Sequence, residues 1–338
     1  MAVPAGFPVL LADIGGTFAR FSILADPGGP FHLLAKDLTT AHPNVSSAIA
    51  SALDNYAGAK AVSALLALAG RVSGSVAHLT NAGWTVDAQT IGRELGLKHV
   101  MLVNDYSAAA AALPTLGNKP ETGLLRIGPE LKGEGPQVIL GPGTGLGAAG
   151  ISRFGQRMLI QSTEAGHIDF GAISTEELEL WPMIERPRGR LSAETLLSGP
   201  GLVRLYRAVA RQRKIRPDLE TPSEVVETGL SGKNPLATEV MQLFARLLGR
   251  FAGDLGLVFG ATGGVFIAGG IALRMADVLA RSEFRTAFES KSPFEAVMGD
   301  TPTFLVTHPE PVLVGLATLA AQPRRFMLHA AHWRSRAV

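Results

Sequence analysis

Pro8-Val9-Leu10-Leu11-Ala12-Asp13-Ile14-Gly15-Gly16-Thr17-Phe18-Ala19-Arg20-Phe21-Ser22-Ile23-Leu24 decides how the rest of the chain is read. Two runs of strand-forming residues flank Gly15-Gly16-Thr17, the pattern of a β-hairpin closed by glycine. Glycine permits a tight turn and lets backbone N–H groups approach an anion with no Cβ in the way. Asp13 ends the first strand just before that turn. A carboxylate beside a phosphate cradle repels the phosphate unless a cation lies between them, so the pair points to a magnesium nucleotide. An ordinary glycine hairpin with a solvated Asp has the same pattern, and by itself the stretch leaves both readings open.

A second copy changes the balance. Val138-Ile139-Leu140-Gly141-Pro142-Gly143-Thr144-Gly145-Leu146-Gly147-Ala148-Ala149-Gly150-Ile151 is again strand, Gly-Thr-Gly turn, strand. Two similar phosphate-type hairpins imply two similar domains facing one nucleotide. A third glycine stretch, Gly263-Gly264-Val265-Phe266-Ile267-Ala268-Gly269-Gly270-Ile271, reads as a buried strand running into a double-glycine turn. Three such elements in this order resemble the superfamily of sugar kinases and actin, where they form the first phosphate, second phosphate and adenosine motifs.

Length and composition agree with a globular enzyme. A chain of 338 residues is long for one core, which favours two domains. A hydrophobic share of 46% with 18% charged residues excludes disorder. The net charge is +2, and no basic stripe interleaved with aromatics points to nucleic acid. The absence of cysteine excludes disulfides, thiolate zinc sites and a cysteine nucleophile. It fits a cytoplasmic protein, and the first seven residues lack the basic start and apolar core of a signal peptide. Residues 255–273 carry no charge and approach a membrane span in length, but six glycines interrupt them. They read as helix end, turn, buried strand and turn, and no membrane partner is expected.

His99-Val100-Met101-Leu102-Val103-Asn104-Asp105-Tyr106 is an apolar strand ending in Asn-Asp, followed by an alanine-rich helix. Ligands of α/β folds collect at the carboxyl ends of strands, where Asp105 is placed to act as a general base. Asp105 as a mere helix cap fits the position equally well. Thr163-Glu164-Ala165-Gly166-His167-Ile168-Asp169 gathers acids and an imidazole in a glycine-containing loop, and suits the hydroxyl groups of a neutral sugar better than a metal. Leu191 to Leu202 reads as a short helix, a Gly-Pro turn and a second helix. On spacing alone Glu194 is a surface acid. Residues 237–259 form a long helix, and the apolar helix over 311–321 is expected to return to the first domain.

With Asp13-Ile14-Gly15-Gly16-Thr17, Asn104-Asp105, Gly143-Thr144-Gly145-Leu146-Gly147, Glu164-Ala165-Gly166-His167, Ser192-Ala193-Glu194, Leu197-Ser198-Gly199-Pro200-Gly201-Leu202 and Val265-Phe266-Ile267-Ala268-Gly269-Gly270-Ile271, the sequence resembles the hexokinase-type bacterial glucokinases. The likeness runs in the family's order from about residue 8 to about residue 320, and it is the ordered set that is specific. It implies an α/β, two-domain actin-like ATPase fold (duplicated ribonuclease H-like halves) with an interdomain cleft. Residues 1–115 and 311–338 would form the small domain and 116–310 the large one.

The resemblance also implies roles. Asp105 takes the proton from the 6-hydroxyl of D-glucose as it attacks the γ-phosphate of ATP. Asn104, Glu164, His167 and Glu194 hold the other hydroxyls, and Asn81 lines the sugar site. Ala12, Asp13, Ile14, Gly15, Gly16 and Thr17, with Gly143, Thr144 and Gly145, hold the phosphates. Asp13 holds Mg2+ through water, and Gly269 and Gly270 lie against the adenosine. A cytoplasmic homodimer is implied as well. Departures from the family pattern fall at Phe18, where Asn is usual, at Ala69-Gly70-Arg71 and at Gly83. They bear on sugar selectivity. Two alternatives follow: a kinase of another hexose, and an actin-like nucleotide-binding regulator, which would not need all of Asn104, Asp105, Glu164, His167 and Glu194.

Overall fold

The computed structural model describes residues 6–335 apart from 55, 71, 74–75, 80–82 and 131–132. Backbone contacts divide the chain into two compact mixed α/β units. The first comprises Met1–Leu116, Ala149–Ser162 and Pro309–Val338, and the second Gly117–Ala148 and Thr163–His308. Ala149–Ser162, which the sequence pattern groups with the residues around it, goes with the first unit. There Met158 and Leu159 pair in parallel with Phe326 and Met327 from the C-terminal segment.

A six-stranded sheet organises the first unit. Its strands run in the order Ala331–Arg334, His99–Asn104, Ser63–Leu68, Val9–Ile14, Phe18–Leu24, Phe31–Leu38. Val9–Ile14 and Phe18–Leu24 form the expected antiparallel hairpin, with Asp13 opposite Arg20 and Ile14 opposite Ala19. Val9–Ile14, Ser63–Leu68 and His99–Asn104 are parallel, and Ile14, Leu68 and Asn104 stand in register at their carboxyl ends. Ser63–Leu68 is buried throughout, the reason its sequence shows an unbroken small and apolar run rather than alternation. The sheet therefore delivers Asp13 and Asp105 to one edge, two strand spacings or about 10 Å apart along it.

The alanine helix Asp105–Ala112 leaves that edge and packs against the helix Pro311–Ala321. A Cβ on Gly315 would lie 1.7 Å from the Ala108 carbonyl oxygen, so the close approach needs glycine on one side and small residues on the other.

In the second unit Gln137–Pro142, Val265–Ile267 and Thr303–Val306 are parallel neighbours, and Leu124–Arg126 adds an antiparallel edge. The long helix spans Pro235–Phe259, capped at its start by the Asn234 side chain and ended by Gly260 in the left-handed conformation. Its Phe244 and Phe251 are fully buried, in one apolar cluster with Phe284 and Phe288 of a neighbouring helix. Residues 255–273 are helix end, turn, strand and short helix, and no described helix is long and apolar enough to cross a membrane. Gly199-Pro200-Gly201 is not the turn expected from its composition. It is the first turn of the helix Gly199–Gln212, capped by the Ser198 hydroxyl. Proline is tolerated there because first-turn N–H groups have no helical partner to lose.

Candidate functional site

The structure shows which of Asn104 and Asp105 caps the alanine helix. The cap of the alanine helix is Asn104, whose Oδ1 accepts from Ser107 N at 3.1 Å. Its Nδ2 donates to the Gly70 carbonyl at 3.3 Å and to Asp105 Oδ1 at 2.9 Å. Asp105 Oδ1 also accepts from Tyr106 N at 2.9 Å. Asp105 is thus fixed at one oxygen by its neighbours rather than consumed in capping. Both N–H bonds of Asn104 are committed, which leaves one lone pair on Oδ1 for a ligand. Burial, with the charges of Asp105 and Asp13 nearby, raises the pKa of the Tyr106 hydroxyl and keeps it neutral.

At the first hairpin, Gly15 N donates to Phe18 O at 2.9 Å, so the turn centres on Gly16-Thr17. Buried Thr39 takes up the turn's carbonyls. Its N donates to Thr17 O at 3.0 Å, and its hydroxyl reaches Gly16 O at 3.2 Å and Thr17 O at 3.3 Å. The N–H groups of Gly16 and Thr17 have no partner among the described residues. Such a loop, with carbonyls turned in and amides left over, suits an anion.

Asp13 Oδ2 accepts from Arg20 Nη1 at 3.2 Å, and Arg20 Nε lies 3.1 Å from Glu310 Oε2 without hydrogen-bond alignment. Burial pushes the Asp13 carboxyl up to about 6, against the pull of Arg20 and with a smaller push from Glu310. No three His, Asp or Glu side chains gather as a metal nest among the described residues. A single carboxylate with one oxygen left over matches the way magnesium is held, by one or two carboxylates together with waters and phosphate oxygens.

The second hairpin also leaves amides over, but its turn is closed differently. Gly143 O accepts from Gly199 N at 2.8 Å and Gly145 O from Gly143 N at 2.8 Å. The Gly143 N–H is therefore already used, and the amides of Thr144 and Gly145 remain. Glu194 is not the surface acid its spacing suggests. The capping box of Ser192 with Thr195 turns the short helix Ala193–Leu196 so that Glu194 Oε2 accepts from Leu146 N at 2.9 Å. A Cβ on Gly145 would lie 2.5 Å from that oxygen, so a side chain there would displace the Glu194 carboxylate.

His167 faces both acids of its group, with Nε2 3.8 Å from Glu164 Oε2 and Nδ1 3.9 Å from Glu194 Oε1. These gaps exceed a hydrogen bond and admit a hydroxyl that accepts from the imidazole and donates to a carboxylate. Asp169 is not part of this set. It is paired with Arg190 Nε and Nη2 at 3.0 and 2.8 Å. Gly269 has φ +95° and sits where a Cβ would meet Pro142 O at 2.5 Å, so the step from strand to Gly270 requires glycine.

Asn81 and Arg71 lie outside the described residues. Phe18 is exposed, with Lys36 Nζ 5.2 Å from its ring centroid. Arg20 and Glu310, which the sequence reading did not single out, complete the surroundings of Asp13. Arg20 was findable, because a turn centred between Gly16 and Thr17 sets it opposite Asp13. Glu310 carries no such local signal.

The model of the glucokinase family matches residues 10–323. A glucokinase of Agrobacterium fabrum is 42% identical over 333 residues, 97% of either chain. Among solved structures, a glucokinase from an Antarctic psychrotroph superposes with a TM-score of 0.79 at 31% identity, covering 93% of this chain and 98% of that one. A Balamuthia mandrillaris glucokinase in complex with glucose reaches the same TM-score at 20% identity over 93% of each chain, a likeness of fold. Near-complete coverage joined to the motif set described above leads to one conclusion: the chain belongs to the glucokinase family.

Proposed function

We infer that the chain transfers the γ-phosphoryl group of ATP to the 6-hydroxyl of D-glucose, giving glucose 6-phosphate and ADP, the first step of glycolysis. Asp105 takes the proton from the 6-hydroxyl. The observation that supports it is the division of labour at the strand end: Asn104 caps the helix and its amide orients the Asp105 carboxylate. Glu164, His167 and Glu194 receive other sugar hydroxyls, and the remaining Asn104 lone pair accepts from one. The Gly16 and Thr17 amides, with those of Thr144 and Gly145, receive phosphate oxygens. Gly269 and Gly270 pass against the adenosine. Asp13 holds Mg2+ through water, and the ion, when bound, neutralises phosphate charge. Phosphoryl transfer needs positioning and charge neutralisation more than covalent chemistry, and these residues supply both.

The reading includes the actin-like two-domain fold, with the Asp105-bearing unit as the small domain, and a cytoplasmic homodimer. Fold and oligomer rest on the resemblance. The deciding experiment is ADP release from MgATP with and without glucose. Glucose-dependent release with glucose 6-phosphate as product supports the assignment. Slow release indifferent to every sugar in a hexose panel overturns it in favour of a nucleotide-binding regulator. Release dependent on another hexose reassigns the acceptor.

A further inference from the structure

We propose that Arg250, in the middle of the long helix Pro235–Phe259, is a positioning residue for the sugar loop. The proposal rests on the reading that Glu164, His167 and Glu194 hold the sugar. The loop from Glu164 to Ile173 has no regular structure beyond the single turn Ala165–His167 and an isolated bridge of Asp169 to Ser192, so its shape must be imposed from outside. One side is a short ladder. Ala193 N donates to Ile168 O and Phe170 N to Leu191 O, both at 2.9 Å. That ladder joins the segment bearing His167 to the segment bearing Glu194.

The other side is held by a buried ion pair. Arg250 Nη1 meets Glu177 Oε2 at 2.6 Å, with the two side chains only 8% and 4% exposed. Arg250 Nη2 donates to the Gly171 carbonyl at 2.9 Å, and its guanidinium stacks 3.8 Å above the centroid of the Phe170 ring. The same Glu177 oxygen accepts from Ile173 N at 2.9 Å. Trp181 Nε1 closes the set by donating to Phe170 O at 3.0 Å. Phe170, Gly171 and Ile173 are thus gripped from the core, while Ile168 and Phe170 grip the Glu194 segment.

A buried ion pair is not needed for stability, since apolar replacements of similar volume are often as stable or more so. What an apolar pair lacks is a donor for the Gly171 carbonyl and an acceptor for the Ile173 N–H, both in a loop without sheet or helix partners. Arginine meets the donor requirement and also stacks on Phe170, a combination lysine lacks. The pair therefore fixes where His167 stands relative to Glu194, and its chemical consequence is affinity for the sugar hydroxyls.

The test compares Arg250→Met, Arg250→Lys and the paired replacement Arg250→Met with Glu177→Leu in the full chain. Arg250→Met leaves Glu177 buried and alone. If it does not accumulate as folded protein, the paired replacement, which removes both charges, is read in its place. A folded variant is expected to raise the KM for glucose by about tenfold or more, the loss that follows when a charge-assisted hydrogen bond to a sugar hydroxyl is weakened. The kcat and the KM for ATP should stay within about threefold of the wild type, the pattern of lost uniform binding, equal in ground and transition states. Arg250→Lys should fall between, keeping the charge without the stack. An unchanged glucose KM in a folded variant overturns the proposal, as does an equal fall in every kinetic parameter. Glu164→Gln and His167→Ala separate the layers. If they leave the glucose KM unchanged, the sugar-site reading falls and this proposal with it. If they raise it and the Arg250 variants do not, only the proposal falls.

Discussion

Replacing Asn104 in two ways separates its jobs. Asn104→Ala removes the cap on Ser107 N and both amide bonds. The cap is worth about 1 kcal/mol. The bond to Gly70 O is long at 3.3 Å and adds at most about 1 kcal/mol. A total near 2 kcal/mol lowers the melting temperature by roughly 4–8 °C for a unit of this size. Asn104→Ser keeps a capping oxygen and loses only the amide, so its melting temperature should recover about half of that loss. Turnover should behave differently. Both variants release Asp105 Oδ1 from the 2.9 Å amide bond, and both should lose about ten- to a hundredfold in kcat, part of what a well-placed general base contributes. The assay is coupled ADP release at saturating glucose and MgATP beside thermal melts. Wild-type kcat in Asn104→Ser would show that the amide does not orient the base. A melting temperature as low as that of the alanine variant would show that Asn104 is not the cap.

Asp105→Ala should lose about two to four orders of magnitude in kcat while calorimetry finds ATP binding nearly unchanged, and near-normal turnover removes Asp105 from the role of base. Gly145→Ala places a Cβ 2.5 Å from Glu194 Oε2, so steady-state kinetics should show a raised glucose KM, and an unchanged one would mean that the carboxylate is not held there. His99 is held at about 4, below its usual 6.5, chiefly by burial and then by His332 and Arg334. Its contribution to stability is complete above pH 6.5 and is lost as the pH falls towards 4, because the unfolded chain takes up the proton first. Urea melts should show a loss on the order of 1–2 kcal/mol across that window, discounted for partial solvation, and His99→Gln should flatten it.

The two hairpins, the strand ending in Asn104-Asp105 and the long helix were legible because their signals are local: period, glycine pairs and an acid at a strand end. What was not legible depends on contacts distant in sequence. Glu194 reads as a surface acid until the capping box from Ser192 to Thr195 rotates it under Leu146. Arg250 is one arginine in an amphipathic helix, and nothing near it in the sequence announces Glu177 or Phe170. The choice between Asn104 and Asp105 as cap turns on one residue of helix phase, finer than pattern reading resolves. Gly199-Pro200-Gly201 misleads because the composition of a turn and that of a helix's first turn overlap. Asn81, drawn from the resemblance, falls outside the described residues.

The two oxygens of Glu194 face different ligands under this reading. Oε2 fastens Leu146 N at the foot of the phosphate hairpin, and Oε1 turns to His167 and the sugar. A single rigid carboxylate then serves as a lever between acceptor and donor substrates, and thermodynamic reciprocity follows: whatever factor glucose adds to the affinity for ATP, ATP must add to the affinity for glucose.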